Sequence, residues 1–257
     1  MPLPTAPRAV LIDLAGVLHI DDQAIPGAVD ALKALRGLGL PLRFLTNTTR
    51  SPRRRIVASL NKMGFDIAPD EIQTAVLATR RLVEQRGLHP HYLVHPDIAD
   101  EIGASHATPD AVVIGDAGPD FEYAALNTVF RLLMQGLPFI VMARNRYFMG
   151  QDGLTLDMGA FVSGLEYSSG RQAEVVGKPA APFFHSALDE LGVAPADAVL
   201  IGDDLADDIG GAQAAGIPGI LVRTGKFRPS DEQHPTHRPA AVVDDFTAAV
   251  ALLAAGL

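Results

Sequence analysis

Apolar and polar positions along the chain fall into two alternating rhythms. AVLID (9–13) is a dense apolar run closing on a carboxylate, the pattern of a buried strand. Pro26 then opens GAVDALKALRGLG, where Val29, Leu32, Leu35 and Leu38 recur at helical spacing. LPLRFLTN (40–47) predicts the next strand, and SPRRRIVASLNKMG a short helix begun by Ser51-Pro52 and stopped by Gly64. DEIQTAVLATRRLVEQRG (70–87) predicts another helix, HYLV (91–94) and AVVIG (111–115) two strands, 120–135 a helix, and LPFIVMA (137–143) a further strand. AEVVGKP (173–179) leads into a helix around FFHSALDELG. AVLIGD (198–203) is a strand, ADDIGGAQAAG a helix ending at Gly216, GIPGILVRTG a strand, and AVVDDFTAAVALLAAGL a closing strand and helix. RPSDEQHPTHRPA (228–240) is polar and proline-rich, a surface loop.

Strands separated by helices imply parallel sheets covered on both faces, hence an α/β fold of Rossmann-like kind. The rhythm within residues 80–172 resembles the one that flanks it. This predicts an α/β domain over 80–172 inserted into a core domain formed by 1–79 and 173–257.

Composition narrows the function classes. The 257 residues can bury a substantial core, with 48% hydrophobic and 20% charged residues. A formal charge of −9 disfavours non-specific nucleic-acid binding. With no cysteine, disulfides, thiolate catalysis and Cys-ligated zinc are excluded, and the eight histidines are too scattered to suggest a zinc set. The start, MPLPTAPRAVLIDL, lacks a signal-peptide hydrophobic region, and no run approaches 18 apolar residues. A cytoplasmic protein without membrane contact is the expectation.

In open α/β sheets, ligands bind beyond the carboxyl ends of the strands. Four predicted strands end on informative residues: Asp13; Thr46 and Asn47; Lys178; and Asp203. One host sheet bringing these ends to a single edge would assemble a carboxylate, a hydroxyl, an amide, a cation and a second acidic cluster. That set suits a phosphate ester or anhydride with Mg²⁺, which prefers oxygen ligands. Asp13 is placed to attack phosphorus, and Lys178 to neutralise the transferring oxygens.

At these residues the chain resembles the haloacid dehalogenase-like superfamily of phosphatases. The first motif lies in DLAGVLH, the second in LTN, the third at GKP and the fourth in GDDLADDIGGAQAAG. The inserted segment resembles the larger α/β cap of subfamily IIA, as in NagD and 4-nitrophenyl phosphatases. DLAGVLHIDD, RFLTNTTR, RNRYF and GDDLADDIGGAQAAGIPGILVRTGKFRPSD resemble, more narrowly, the subgroup of haloacid dehalogenase-like hydrolase domain-containing protein 2 and phospholysine phosphohistidine inorganic pyrophosphate phosphatase. The resemblance implies a Mg²⁺-dependent phosphohydrolase using small phosphorylated substrates through an aspartyl phosphate. It makes Asp13 nucleophile and metal ligand, and the backbone carbonyl of Ala15 a metal ligand. Thr46 and Asn47 become phosphate binders, Lys178 the cation holding nucleophile and phosphoryl group, and Asp203 the principal acidic ligand. Asp204 and Asp208 are expected at metal waters or behind them, with the choice between these and Asp207 left open. Caps of this type often dimerise, so a homodimer is open to this chain.

The departure is Ala15. Most phosphatases of the superfamily carry an aspartate there, which protonates the leaving group and then activates water. General acid–base help is worth about 10²–10⁴-fold. The resemblance to the narrower subgroup points to P–N or P–O–P bonds, or activated aryl phosphates, over alkyl phosphates. The alternative is a catalytically weak metal- and phosphate-binding protein. His19 is the nearest titratable candidate for acid–base work, against a bland role in loop packing. Thr48 either lines the phosphate site or caps the next helix. Arg144 and Asn145, after the strand LPFIVMA, are candidates for reading the leaving group.

Overall fold

The computed structural model describes residues 1–4, 6–150 and 153–256. They divide into two units, one formed by Met1–Thr46, Arg53–Gln73 and Lys178–Leu257, the other by Asn47–Pro52 and Thr74–Gly177.

The first unit is built on a six-stranded sheet in the order Ala241–Val243, Gly219–Val222, Ala198–Gly202, Ala9–Asp13, Leu42–Thr46, Ile72–Thr74. Ala9–Asp13 runs parallel to both neighbours, with Ile12 opposite Ile201 and Asp13 opposite Leu45. A strand inside a parallel sheet is covered on both faces, so its sequence is apolar throughout rather than alternating. All five residues of Ala9–Asp13 are accordingly buried. Alternate positions Val10, Ile12, Leu42, Phe44, Val199, Ile201, Ile220 and Val222 face one core. It is completed by Leu32 and Leu35 of the helix Ala28–Gly37 and by Phe246, Val250 and Leu253 of the helix Phe246–Gly256. On the other face Leu221 packs with Leu205 and Ile209 of the turn Leu205–Gly210. That contact fixes the turn beyond Asp203.

The second unit has a four-stranded sheet in the order Glu174–Val175, Phe139–Val141, Ala111–Ile114, Pro90–Leu93, all parallel. The helices Ala75–Arg86, Tyr123–Met134 and Gly159–Ser169 belong to it, and so does an antiparallel hairpin of Tyr147–Gly150 with Gly153–Leu156. Its core gathers Leu93, Val112, Ile114, Val129, Leu133, Phe139, Val141, Met158 and Val162. The α/β class with a parallel-sheet core and an inserted second unit is the one the alternation predicted. No helix among the described residues is long and apolar enough to cross a membrane.

Three details differ from the sequence expectations. Residues 70–87 are not one helix: a short turn, Pro69–Glu71, and a strand, Ile72–Thr74, precede the helix Ala75–Arg86. The strand is only three residues long and its polar centre, Gln73, is buried, donating to the Phe183 carbonyl (2.6 Å) and Ser186 Oγ (2.7 Å). The stretch before Lys178 was expected in the host sheet. The structure instead pairs Glu174–Val175 with Ile140–Val141 of the second sheet, so Lys178 enters its unit from a connecting loop. ADDIGGAQAAG is not a uniform helix either. Leu205–Gly210 is a wide, π-type turn and only Gly211–Ala214 is α-helical.

Candidate active site

The core strand AVLID delivers Asp13 to the carboxyl edge of the first unit's sheet. Beyond it the chain reverses tightly: Leu18 N–H donates to the Leu14 carbonyl (2.9 Å) and Gly16 N–H to the His19 carbonyl (2.7 Å). Gly16 makes this possible with φ +88°, and its missing side chain matters again, since a Cβ there would collide with the Asp203 carboxylate. Ala15, between them, is exposed.

Asp203 follows the neighbouring strand Ala198–Gly202, and Asp204 caps the wide turn, its Oδ1 accepting from Ala206 N–H (2.9 Å) and Asp207 N–H (3.0 Å). Ile209 N–H reaches back to the Asp204 carbonyl at 3.2 Å, an i→i+5 bond. The extra residue in the turn brings Asp208 inward, where its Oδ2 accepts from Asp204 N–H (3.1 Å).

Lys178 completes the group. Its Nζ donates to Asp13 Oδ1 (2.5 Å) and Asp208 Oδ1 (2.7 Å), and its side chain is only 5% exposed. Asp13, Asp203 and Asp208 present carboxylate oxygens within 4.8 Å of one another, all buried. The electrostatics show an acid cluster short of positive charge. Burial pushes Asp13 up to about 7, with the Asp208 charge adding to the effect against the opposing pull of Lys178. Burial, together with Asp13 and Asp208, holds Asp203 well above the ordinary carboxylate range. Asp207 is raised to about 6 by burial and by Asp204 and Asp208. Burial works against the Lys178 ammonium, yet Asp13 and Asp208 overcome it and raise its pKa.

The structure thus brings together Asp13, Lys178, Asp203 and Asp208. Asp204 lies at the edge of the group: its other oxygen accepts from Lys226 Nζ (3.0 Å), and burial, which would raise this carboxyl, is outweighed by Lys226 together with the Asp207 and Ala206 N–H groups, so that it is held low. Thr46 is buried at the end of the strand Leu42–Thr46. His19 opens a two-residue strand paired with Gln23–Ala24, and its Nδ1 is engaged with the Asp21 carbonyl (2.7 Å).

Other candidates lie in the second unit. Asn47 Oδ1 rests against Gly177, where an added Cβ would approach to 2.5 Å. Thr48 is exposed, while its neighbours are anchored: Thr49 Oγ1 accepts from Asp116 N–H (3.2 Å) and Arg50 donates to both Asp116 oxygens (2.5 and 3.0 Å). Arg144 donates to Glu166 Oε2 (2.5 Å), whose other oxygen accepts from Ala173 N–H (3.0 Å). The Asn145 carbonyl accepts from Gly159 N–H (3.0 Å).

Sequence reasoning passed over Thr224, Gly225 and Lys226. Lys226 N–H donates to Asp203 Oδ2 (2.7 Å), and Thr224 Oγ1 donates to the Gly16 carbonyl. The available signal was the placement of RTGKF directly after a strand, with a glycine beside the lysine.

Comparison with known proteins shows the family. A family model described as haloacid dehalogenase-like hydrolase matches residues 10–106, and a second, HAD-hydrolase-like, matches 175–249. Haloacid dehalogenase-like hydrolase domain-containing protein 2 of Bos taurus is 47% identical over 244 residues, 95% of this chain and 94% of that protein. Phospholysine phosphohistidine inorganic pyrophosphate phosphatase of Danio rerio is 45% identical over 251 residues, 95% and 93% of the two chains. Among solved structures, NagD from E. coli has the same fold, with a TM-score of 0.87 over 94% of this chain and 98% of that one at 24% identity. Similarity of this extent, running through both halves of the core sheet, makes the chain a member of the haloacid dehalogenase-like hydrolase family.

Proposed function

We propose that the protein is a magnesium-dependent phosphohydrolase for small phosphorylated compounds whose leaving groups depart without a proton from the enzyme. These are P–N bonds, P–O–P anhydrides and activated aryl phosphates. The observation that carries this reading is a buried carboxylate, Asp13, held by Lys178, on a strand whose following loop offers alanine at position 15.

Lys178 orients Asp13 and holds its charge against phosphorus. The carboxylate attacks, the bond from phosphorus to the leaving atom breaks with its electron pair remaining on that atom, and an aspartyl phosphate forms. Water then attacks this phosphorus and returns the Asp13 carboxylate with release of inorganic phosphate. The Thr46 hydroxyl, buried at the next strand end, is the proposed donor to a phosphoryl oxygen. Burial of Asp13 and Lys178 keeps competing water from the nucleophile.

The donor set fits a hard divalent cation: three buried carboxylates within 4.8 Å, served by one buried ammonium. Asp13, Asp203 and Asp208 would hold it, with the Ala15 carbonyl as a further oxygen. When bound, magnesium would supply positive charge against the phosphoryl oxygens and fix their direction.

The preference among leaving groups follows from Ala15. A phosphoramidate nitrogen can take its proton from solvent, and an anhydride departs as a stable anion; an alkoxide does neither. One relative carries phospholysine, phosphohistidine and inorganic pyrophosphate in its name, which supports the same choice. Ala15 also favours a second reading, a cation- and phosphate-binding protein with negligible turnover.

The test is phosphate release, with and without Mg²⁺, from imidodiphosphate, phosphohistidine, phospholysine, pyrophosphate, 4-nitrophenyl phosphate and an alkyl phosphate. Magnesium-dependent release on all but the last, abolished in Asp13→Asn, is the expected result. No release from any compound while Mg²⁺ and phosphate still bind would establish the second reading.

A further inference from the structure

We propose that Lys226 takes up the negative charge of the departing group at the place where Ala15 provides no proton donor, and thereby fits the site to phosphoanhydrides. This inference rests on the hydrolase reading above.

Two loops carry the argument. The loop after the Asp13 strand holds Ala15 and Gly16; the loop after the strand Gly219–Val222 holds Thr224, Gly225 and Lys226. They are locked together directly. Thr224 Oγ1 donates to the Gly16 carbonyl, and a Cβ on Gly225 would lie 2.7 Å from Gly16 Cα as well as colliding with the Asp203 carboxylate. Gly225 takes φ +57° to make this approach. Lys226 therefore follows immediately on the residue that backs Gly16, while Ala15 immediately precedes it. The usual proton donor's position and this lysine sit on adjoining turns.

Lys226 is also anchored to the acid cluster from both ends. Its N–H donates to Asp203 Oδ2 (2.7 Å), and its Nζ reaches Asp204 Oδ2 (3.0 Å). Its side chain is 57% exposed, against 5% for Lys178. One cation thus lies deep, on the nucleophile, and a second stands at the rim.

The chemistry follows from the bond that breaks. When Asp13 attacks one phosphorus of pyrophosphate, the bridging P–O bond opens and its electron pair stays on the bridging oxygen. That oxygen leaves as part of orthophosphate. An ammonium beside it stabilises the added charge without giving up a proton. A 4-nitrophenolate spreads the same charge into its ring and needs the ammonium far less.

The experiment compares kcat/KM on pyrophosphate and on 4-nitrophenyl phosphate for the wild type, Lys226→Met and Lys226→Arg. Lys226→Met is expected to lose about 10²-fold on pyrophosphate, the lower end of what removal of a single charge-stabilising donor costs, and much less on 4-nitrophenyl phosphate. Lys226→Arg is expected to restore most of the ratio, with the half-saturating Mg²⁺ concentration little changed. Equal losses on both substrates, accompanied by weaker Mg²⁺ binding, would overturn the proposal and make Lys226 a support for Asp203 and Asp204. An unchanged ratio would also overturn it. A thermal melt checks the fold of Lys226→Met; if it is unfolded, Lys226→Gln decides on the same ratio. A wild type inactive on both compounds would instead refute the hydrolase reading itself, and this inference with it.

Discussion

Ala15 is exposed on the loop that leaves the Asp13 strand, so an aspartate can be introduced there without burying a charge. If leaving-group protonation is what the site lacks, Ala15→Asp should raise turnover of an alkyl phosphate by about 10²–10⁴-fold while changing pyrophosphate turnover much less. Initial-rate measurements on the two substrates check this; a parallel rise on both would mean that water activation, not the leaving group, limits the native enzyme. The same scale shows what a linear sequence reveals. Asp13, Lys178 and Asp203 each follow or adjoin a short apolar run and can be found by that position alone. Asp208 owes its place to the i→i+5 bond between Ile209 and Asp204, a local winding that no residue type announces. RTGKF marks Lys226 as a residue just past a strand, but its meeting with Asp203 is legible only once strand order is known, because it comes through a neighbour in the sheet and not through the chain.

At the scale of elements, the strands covered on both faces were legible, since continuous apolar runs bounded by turns leave few other readings. The three-residue strand Ile72–Thr74 was not: it merges with the helix that follows, and the N-cap bond from Leu77 N–H to Thr74 Oγ1 (3.1 Å) is the only local mark of the division. The turn just before it is pinned by an ion pair. Arg36, in the last turn of Ala28–Gly37, donates to both oxygens of Glu71 (2.8 and 2.7 Å). Burial pushes the Glu71 carboxyl up, but the Arg36 hydrogen bond and the Ala68 N–H bond prevail and lower it from its ordinary 4.5. A depressed carboxylate stabilises the fold above its unfolded pKa, and that stabilisation disappears as pH falls through the folded value. Glu71→Gln should therefore cost about 1 kcal/mol or less at pH 7, since the pair is partly exposed, and less than that at pH 3. Urea unfolding at the two pH values checks both magnitude and direction.

For the whole molecule, the acid cluster predicts a coupling between ion binding and stability. Buried carboxylates held above their ordinary range are strained when charged, and a divalent cation relieves them. At a magnesium concentration 100 times the dissociation constant, stabilisation of about 2.7 kcal/mol is expected. Asp203→Asn should abolish this gain, yet melt no lower than the wild type without metal, because it removes one of the repelling charges. A metal-free melting point well below that of the wild type would show that Asp203 has a structural task beyond holding the ion. The α/β class with its parallel sheets was visible in the repeated strand–helix rhythm. The membership of Glu174–Val175 was not, because a two-residue strand carries no pattern that distinguishes one parallel sheet from another.

The central strand has a further consequence in time. Asp13 and Lys178 are 165 residues apart, and the strand that borders Asp13 on one side, Ala198–Gly202, comes later still. A ribosome therefore makes Asp13 well before either of these partners. Until then Ala9–Asp13 waits with one edge unpaired, an apolar template for mispairing. The acid cluster cannot form until Lys178 and the strand Ala198–Gly202 have both emerged, and through that interval the edge of Ala9–Asp13 has to stay open for its true neighbour.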